Sequence, residues 1–312
     1  MTMIWHVFII LLSCGALWLG ANWLVDSAAR IARKFGLSDL VIGLTVVAFG
    51  TSAPEFAVTV GAAMDGKPEI ALGNVIGSNI FNIGFILGGV ALFMRVIIKQ
   101  SLVWRDGMVL LVTMALLLVF LQDDELDRWE GIVFVLGLAA YLFFLFWKKE
   151  VAIEEDIPQA PATWKDGPLL LLGLVLIIGG GEFLKNSAVA IAEDLGMSEF
   201  LIGLTVVAAG TSMPEFAISL IAIIKKFHGI SAGNLIGSNI FNTLGVLGVA
   251  GAIQPLKVDS GEMTIIAAQL GLTAVVLFFM WTGHRLVRSE GIALLLISAC
   301  IWGYKIKTGV GG

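Results

Sequence analysis

The sequence predicts an all-α membrane protein with ten transmembrane helices, arranged as two five-helix repeats that enter the bilayer in opposite orientations. Three observations predict this fold: the composition is strongly apolar, ten segments are long enough to cross a bilayer, and two motifs recur with one constant spacing. Of the 312 residues, 58% are hydrophobic and only 14% are charged. Soluble domains usually carry about a quarter charged residues, so a soluble core does not account for this composition.

The polar residues exclude several classes of function. The net charge is −5 and no basic cluster is present, which argues against a nucleic-acid partner. The three histidines are scattered and lie near the ends of apolar segments, which argues against a histidine site for zinc or iron. Cys14 and Cys300 lie inside apolar segments, and we interpret both as buried small hydrophobic residues.

Apolar segments of about 20 residues, the length needed to cross a bilayer, occur in two sets of five. The first set lies near residues 4–24, 37–64, 70–94, 104–121 and 129–147. The second set lies near residues 168–184, 198–224, 230–253, 263–281 and 289–306. These sets divide the chain into a first repeat (1–147), a polar cytoplasmic linker (148–167) and a second repeat (168–312).

Loop charges predict the orientation, because lysine and arginine are retained on the cytoplasmic side of a membrane. With ten spans and the N-terminus outside, the inside loops hold 13 of the 19 lysines and arginines, among them Arg30, Arg33 and Lys34. The outside holds the other six, among them Lys185. We therefore expect both termini outside, in a multi-pass protein of the cell membrane, that is, an inner or plasma membrane.

An internal repeat relates the two halves. The segment GLTVVAFGTSAPEFA at 43–57 recurs as GLTVVAAGTSMPEFA at 203–217, and GNVIGSNIFN at 73–82 recurs as GNLIGSNIFN at 233–242. The two motifs are displaced by the same distance along the chain, which we call the repeat offset. Because each half holds five spans, an odd number, the second copy must be inverted in the membrane. Inverted repeats of this kind are typical of secondary transporters, whose substrate sites lie between the halves.

Each copy of the first motif places a glutamate, Glu55 or Glu215, inside a long apolar segment. A charged carboxylate at this depth costs several kcal/mol, and neither motif contains a lysine or arginine to pair with it. The glutamates must therefore be protonated, hydrated or close to a bound cation. Gly50 and Pro54 predict a helix break that frees backbone carbonyls, which favours the cation.

The spacing of the polar residues gathers oxygen atoms. Thr51 and Glu55 stand at positions i and i+4, as do Ser78 and Asn82, so each pair shares one helical face. Oxygen atoms alone suit Ca²⁺ and Na⁺ and disfavour zinc or copper. Taken singly, the glycines fit close helix packing and the prolines fit kinks. Duplication of the whole set with the same acid argues for a cation site instead.

The two motifs, Gly-Thr-Ser-x-Pro-Glu and Gly-Asn-x-Ile-Gly-Ser-Asn-Ile, each present twice, resemble the α-repeats of the calcium/cation antiporter superfamily, most closely its prokaryotic sodium/calcium exchanger branch. The resemblance covers nearly the whole chain. It implies a ten-helix fold in which the second and third spans of each half build a core that holds the ion sites. A slanted pair of first spans slides against that core. It also implies twelve metal-binding positions, which are Ala48, Thr51, Ser52, Glu55, Ser78, Asn82, Ala208, Thr211, Ser212, Glu215, Ser238 and Asn242.

One position departs from the family pattern. Studied exchangers of this branch carry an aspartate where this chain has Asn242, which matches Asn82 of the first half. Two glutamates balance one Ca²⁺ or two Na⁺, and a third Na⁺ would leave net positive charge in a site of low dielectric constant. The hypothesis is that the site holds at most two Na⁺, or uses H⁺ on the glutamates instead.

The expected function is exchange of Ca²⁺ for Na⁺ by alternating access, with inorganic cations and the lipid bilayer as partners and no cofactor or obligate protein partner. Two alternatives stay open: an antiporter for Ca²⁺ or another divalent cation coupled to H⁺ or K⁺, and a passive cation channel. An enzyme is not expected, because no histidine or lysine lies in the motifs to activate Ser52 or Ser78. The residues leave open the stoichiometry, the transport direction and the oligomeric state.

Overall fold

The computed structural model describes residues 3–148, 161–197, 206–258 and 260–309, which are almost entirely helical. The helices are α1 (Met3–Lys34), α2 (Asp39–Thr51), α3 (Ala53–Met64), α4 (Pro68–Phe93), α5 (Leu102–Asp123), α6 (Arg128–Lys148), α7 (Asp166–Asp194), α8 (Ala208–Thr211), α9 (Met213–Ile224), α10 (His228–Ile253), α11 (Ser260–Gly283) and α12 (Arg288–Gly309). Helices α2, α4, α5 and α10 each contain a π-helical stretch.

Among the described residues, seven helices are long and apolar enough to cross a membrane, and the bent pair α2–α3 makes an eighth. The predicted spans 198–224 and 289–306 are not among these eight, and the first of them lies partly outside the described residues. Large apolar side chains such as Leu11, Phe93 and Leu136 are exposed on the outer surface, as lipid contact requires. The chain is a helical membrane protein, and the count of ten spans stays a prediction.

Cys14 and Cys300, which the sequence predicted to be buried, are exposed on α1 and α12. The prediction was wrong because an apolar composition does not separate the inward face of a membrane helix from its lipid-facing side. Lipid tails are as apolar as a protein interior, so a small hydrophobic side chain is stable on either face.

Helices α1 and α7 pack closely along each other through glycines. A Cβ on Gly20 would lie 2.7 Å from the Gly173 carbonyl, and a Cβ on Gly173 would lie 2.8 Å from the Gly20 carbonyl. Arg30 of α1 also pairs with Asp166 of α7, with 2.7 Å between the Nη2 and Oδ1 atoms. Two helices in such contact along their length form one structural unit.

Both helices extend well beyond the apolar segments that predicted them. Arg30, Arg33 and Lys34, expected in an inside loop, lie within α1, and Lys185, expected in an outside loop, lies within α7. A hydropathy segment ends at the first charged residues, whereas the helix itself can continue through charged residues that form ion pairs. Arg30 forms such an ion pair with Asp166, and Asp26 of α1 forms another with Lys225, with 2.7 Å between Nζ and Oδ1.

Helix α2 of the first half packs against α10 of the second half. A Cβ on Gly237 would lie 2.7 Å from Leu44 Cα, and a Cβ on Gly233 would lie 2.9 Å from the Leu40 carbonyl. The glycines therefore allow the two backbones to approach, as small residues do at helix interfaces in membranes. This contact brings a helix from the first motif of one half against the second motif of the other.

Four short strands in the described ranges link loops of the two halves. Strand β1 (Val96–Ile97) pairs antiparallel with β4 (Arg285–Leu286), and β2 (Glu125–Leu126) pairs antiparallel with β3 (Leu256–Lys257). The repeat offset maps β1 onto β3 and β2 onto β4. Each ribbon is therefore the copy of the other with the halves exchanged.

The close contact between α6 and α10 gives a testable stability prediction. A Cβ on Gly131 would lie 2.4 Å from the Ala252 nitrogen and 2.6 Å from the Gly248 carbonyl. Gly131→Ala should therefore destabilise the protein by about 1–3 kcal/mol, the usual cost of overpacking. The expected result is a lower melting temperature in detergent, followed by tryptophan fluorescence.

Gly271→Ala is the matched control, because a Cβ on Gly271 of α11 would meet no described residue within 4 Å. We expect its melting temperature to equal or slightly exceed that of the wild type, since alanine favours a helix over glycine. Equal melting temperatures for the Gly131 variant and the wild type would contradict the packing of α6 on α10.

Candidate cation site

Two helix breaks carry the glutamates. Ser52 lies between α2 and α3, whose axes differ by 49°, and Ser212 lies between α8 and α9 with nearly the same backbone angles. Pro54 and Pro214 stand in the first turn of the helix that follows, where a missing N–H is tolerated. The glycine and proline pattern therefore produced a break in each motif.

The sequence predicted that the break would free backbone carbonyls. The carbonyls of Ala48 and Ala208 nevertheless accept hydrogen bonds. The Thr51 hydroxyl lies 3.2 Å from the Ala48 carbonyl, and the Thr211 hydroxyl donates to the Ala208 carbonyl over 3.1 Å. The Ser52 amide also donates to the Ala48 carbonyl. A carbonyl oxygen has two lone pairs, so the threonines keep each turn together while the helix bends.

The serine at each break donates to the glutamate of the other half. Ser52 Oγ lies 3.3 Å from Glu215 Oε1, and Ser212 Oγ lies 3.4 Å from Glu55 Oε1. All four side chains are buried, and both glutamates are 0% exposed. The two carboxylates are therefore enclosed between the halves of the chain in a reciprocal arrangement.

Several buried oxygen atoms at these positions accept or donate no hydrogen bond within the described part of the chain. The second carboxylate oxygen of each glutamate is one of them, and the set is Glu55 Oε2, Glu215 Oε2, Ser78 Oγ, Asn82 Oδ1 and Asn242 Oδ1. Buried polar atoms without a partner are costly, so their concentration here calls for a ligand. Since all are oxygens, the ligand they suit is a hard cation.

Eleven of the twelve positions implied by the resemblance are buried, and Ala208 is half-buried. Thr51 Oγ1 lies 3.2 Å from Asn234 Oδ1 and 3.3 Å from Ser238 Oγ, which adds a third contact between the halves. Among the described residues, Thr211 donates locally to Ala208, and Ser78 Oγ has no hydrogen-bond partner. The structure thus joins most of these side chains directly across the halves.

Four asparagines outside the twelve implied positions support the site. Asn74 donates to the Glu55 carbonyl over 3.3 Å, and Asn234 donates to the Glu215 carbonyl over the same distance. Asn79 and Asn239 contact Asn242 and Asn82, respectively, across the halves. A signal was present, since all four recur at the repeat offset and Asn79 lies three positions before Asn82 on a helix.

A basic side chain also approaches the site, from α7. Lys185 packs over Gly210 of the second motif, because a Cβ on Gly210 would lie 2.7 Å from Lys185 Cγ. Its Nζ pairs with Glu182 over 2.6 Å, so a positive charge lies beside the second motif. The sequence motifs contain no basic residue, so this neighbour comes from the tertiary structure.

Comparison with known proteins places this geometry in a family. The model of the sodium/calcium exchanger protein family matches residues 5–147 and 168–306. The putative antiporter CaxA of Alkalimonas amylolytica is 38% identical over 88% of this chain and 91% of its own length. The sodium/calcium exchanger MaX1 of Methanosarcina acetivorans is 33% identical over 93% of this chain and 95% of its own.

A solved structure agrees with these matches. The sodium-calcium exchanger NCX_Mj, soaked with Na⁺ and Sr²⁺, superposes with a TM-score of 0.85 at 32% identity. The match covers 96% of this chain and 98% of that one. The chain therefore belongs to the sodium/calcium exchanger protein family, in the prokaryotic branch of the calcium/cation antiporters.

Proposed function

We propose that this protein exchanges Ca²⁺ for Na⁺ by alternating access at one site between Glu55 and Glu215. The observation that carries the proposal is the reciprocal pair of contacts, Ser52 to Glu215 and Ser212 to Glu55, which leaves one buried, unpartnered oxygen on each carboxylate. A cation between the carboxylates would satisfy these oxygens. It would also offset the free energy of holding two acids in an apolar region.

The proposed binding set is the one given by the family resemblance, namely the twelve positions from Ala48 to Asn242. Its support in this chain is chemical: carboxylate, hydroxyl, amide and carbonyl oxygens converge there, without thiolate or imidazole. Oxygen sets with few acids accept both Ca²⁺ and Na⁺. Within the described residues, no group of three or more histidines, cysteines and acids is found elsewhere. Glu55 and Glu215 are the two acids of this set, so the proposed site carries a charge of −2 when both are ionised.

The proposed architecture has ten membrane helices in two inverted repeats of five, with both termini outside and the site at the bilayer midplane. Contacts between the halves support it, because the repeat offset maps one contact onto another with the halves exchanged. The Ser–Glu pairs, the asparagine pairs and the two β-ribbons all behave in this way. Such a pseudo-two-fold relation is typical of transporters that alternate their access.

Antiport follows from the same charges. An empty site would carry two uncompensated carboxylates past apolar surroundings, which is strongly unfavourable. A site filled by Ca²⁺ or by two monovalent cations avoids this cost, so the access change is favoured only when the site is loaded. MaX1 and NCX_Mj are both named as sodium/calcium exchangers, which favours Na⁺ over H⁺ or K⁺ as the coupling ion.

Uptake of ⁴⁵Ca²⁺ into proteoliposomes tests the proposal. Vesicles loaded with Na⁺, K⁺ or acidic buffer are diluted into Na⁺-free medium, and initial uptake is compared with vesicles that have no cation gradient. We expect uptake only from the Na⁺-loaded vesicles. Uptake driven by K⁺ or H⁺ would show that this ion, and not Na⁺, is the coupling ion. Uptake without any counter-gradient would indicate a channel.

Lys185 should weaken Ca²⁺ binding through its charge. Lys185→Met removes that charge and should lower the Ca²⁺ concentration for half-maximal uptake about threefold, a modest effect because Glu182 partly compensates the lysine. The matched control is the double variant Glu182→Gln with Lys185→Met, which removes both charges. We expect the control to return toward the wild-type value, and equal values for all three proteins would contradict an electrostatic role.

A further inference from the structure

Four asparagines form hydrogen bonds between the two halves, close to the proposed cation site. Asn82 Nδ2 donates to Asn239 Oδ1 over 3.1 Å, and Asn242 Nδ2 donates to Asn79 Oδ1 over 3.2 Å. All four side chains are 0% exposed. In each pair, an amide from one half is held by the amide of the other half.

The hydrogen bonds of Asn79 and Asn239 determine which end of each amide is presented. Asn239 Nδ2 donates to the Asn79 backbone carbonyl over 3.1 Å, and Asn79 Nδ2 donates to Thr243 Oγ1 over 3.1 Å. Because the Nδ2 end of each amide is directed to these acceptors, both side chains present their Oδ1 atom to the cross-half partner. That partner must then direct its own NH₂ group toward them.

This arrangement leaves Asn82 Oδ1 and Asn242 Oδ1 as buried oxygens without a hydrogen-bond partner among the described residues. An amide is a dipole with a negative oxygen and a positive NH₂ group. If either amide were turned end for end, its NH₂ group would take the place of the free oxygen and repel a cation. The orientation of each amide is therefore as important for a cation site as its presence.

We propose that Asn79 and Asn239 are positioning residues, which hold the side-chain oxygens of Asn82 and Asn242 toward the transported cation. This inference rests on the proposed function, because it takes those oxygens to be part of the cation site. Each half of the chain orients the amide of the other half. The oxygens are thus aligned only while α4 and α10 stay in contact.

The test is a double-mutant cycle between Asn239 and Asn82, read as the Ca²⁺ concentration for half-maximal Na⁺-driven uptake. Asn239→Leu keeps a similar volume but removes the acceptor that orients Asn82. We expect the half-maximal concentration to rise about tenfold, as for loss of one well-placed hydrogen-bonding group, with a smaller change in the maximal rate.

The second arm of the cycle makes orientation irrelevant. Asn82→Ala removes the amide that Asn239 orients. In the Asn82→Ala background, Asn239→Leu should change the half-maximal concentration less than about twofold, which is within ordinary additivity errors. A loss of packing would instead have the same effect in both backgrounds.

Thr273→Val serves as the control, since Thr273 is a 0% exposed polar residue on α11 whose hydroxyl donates to a backbone carbonyl of its own helix. Its half-maximal concentration should match the wild type. An equal effect of Asn239→Leu in both backgrounds, or no effect in either, would overturn the positioning role. If Glu55→Gln kept wild-type Na⁺-driven uptake, the proposed function itself would fail, whatever the cycle shows.

Discussion

Replacing Glu55 or Glu215 by glutamine should reduce Na⁺-driven Ca²⁺ uptake at least about 100-fold, the equivalent of losing about 3 kcal/mol or more from one buried charge interaction. Glutamine keeps the shape of glutamate, including an oxygen that can accept the serine hydroxyl. It removes the charge that balances the cation. Because the Ser52–Glu215 and Ser212–Glu55 contacts mirror each other, both variants should lose transport to a similar extent.

Glu130 and Glu290 provide matched controls in the same two halves. They are also related by the repeat offset, and their Oε2 atoms accept from the backbone nitrogens of Asp127 and Val287 over 2.9 Å. Glu130→Gln and Glu290→Gln should leave the uptake rate per folded protein unchanged, because these acids cap the starts of α6 and α12. Retained uptake in either Glu55→Gln or Glu215→Gln would contradict a shared cation site.

Transport by the wild type should be electroneutral. The proposed site carries two negative charges, those of Glu55 and Glu215, because Asn82 and Asn242 are neutral. Two charges balance one Ca²⁺ in one direction and two monovalent ions in the other. Uptake into vesicles clamped with K⁺ and valinomycin should therefore be the same at zero potential and at about −100 mV, a range that would reveal the movement of a single charge.

Asn242→Asp should make transport sensitive to voltage. A third carboxylate allows a third Na⁺, so one net charge would move in each cycle. One charge crossing about 100 mV corresponds to about 2.3 kcal/mol, which changes the final Ca²⁺ accumulation ratio up to about 50-fold. The measurement is accumulated ⁴⁵Ca²⁺ at several clamped potentials.

A surface variant controls for the added charge alone. Asn186→Asp on α7 introduces the same change at an exposed position, and it should leave accumulation independent of voltage. Voltage-dependent accumulation by the wild type would show that Asn242 does not limit the charge of the site. Voltage independence of Asn242→Asp would show that this position does not add an ion.

The sequence predicted the parts of the site that depend on local spacing. Two motifs that lie close together in the first repeat predicted these parts. They indicated the helix break at Ser52, the position of Glu55 inside an apolar segment, and the helical face that Ser78 and Asn82 share. The family followed from the same motifs, and comparison confirmed it. These features were accessible because an acid in an apolar segment has few stable environments.

Other features required contacts between residues far apart in the chain. Asn79 and Asn239 are distant in sequence, and the hydrogen bond between them forms only where α4 and α10 are brought together. Lys185 was expected in an outside loop, yet it lies in α7 beside Gly210. Hydropathy could not place it, because its charge is compensated within the helix by Glu182.

By itself, the sequence determined the membrane class, the duplicated motifs and the kind of atoms available to bind a cation, because composition and repeats are properties of the chain alone. Only the tertiary structure decided which oxygens remain free. That outcome depends on the hydrogen-bond partners of Glu55, Glu215, Asn82 and Asn242, and these partners come from the opposite half of the molecule. Serine hydroxyls donate to the two glutamates, whereas Asn82 and Asn242 donate to amide oxygens.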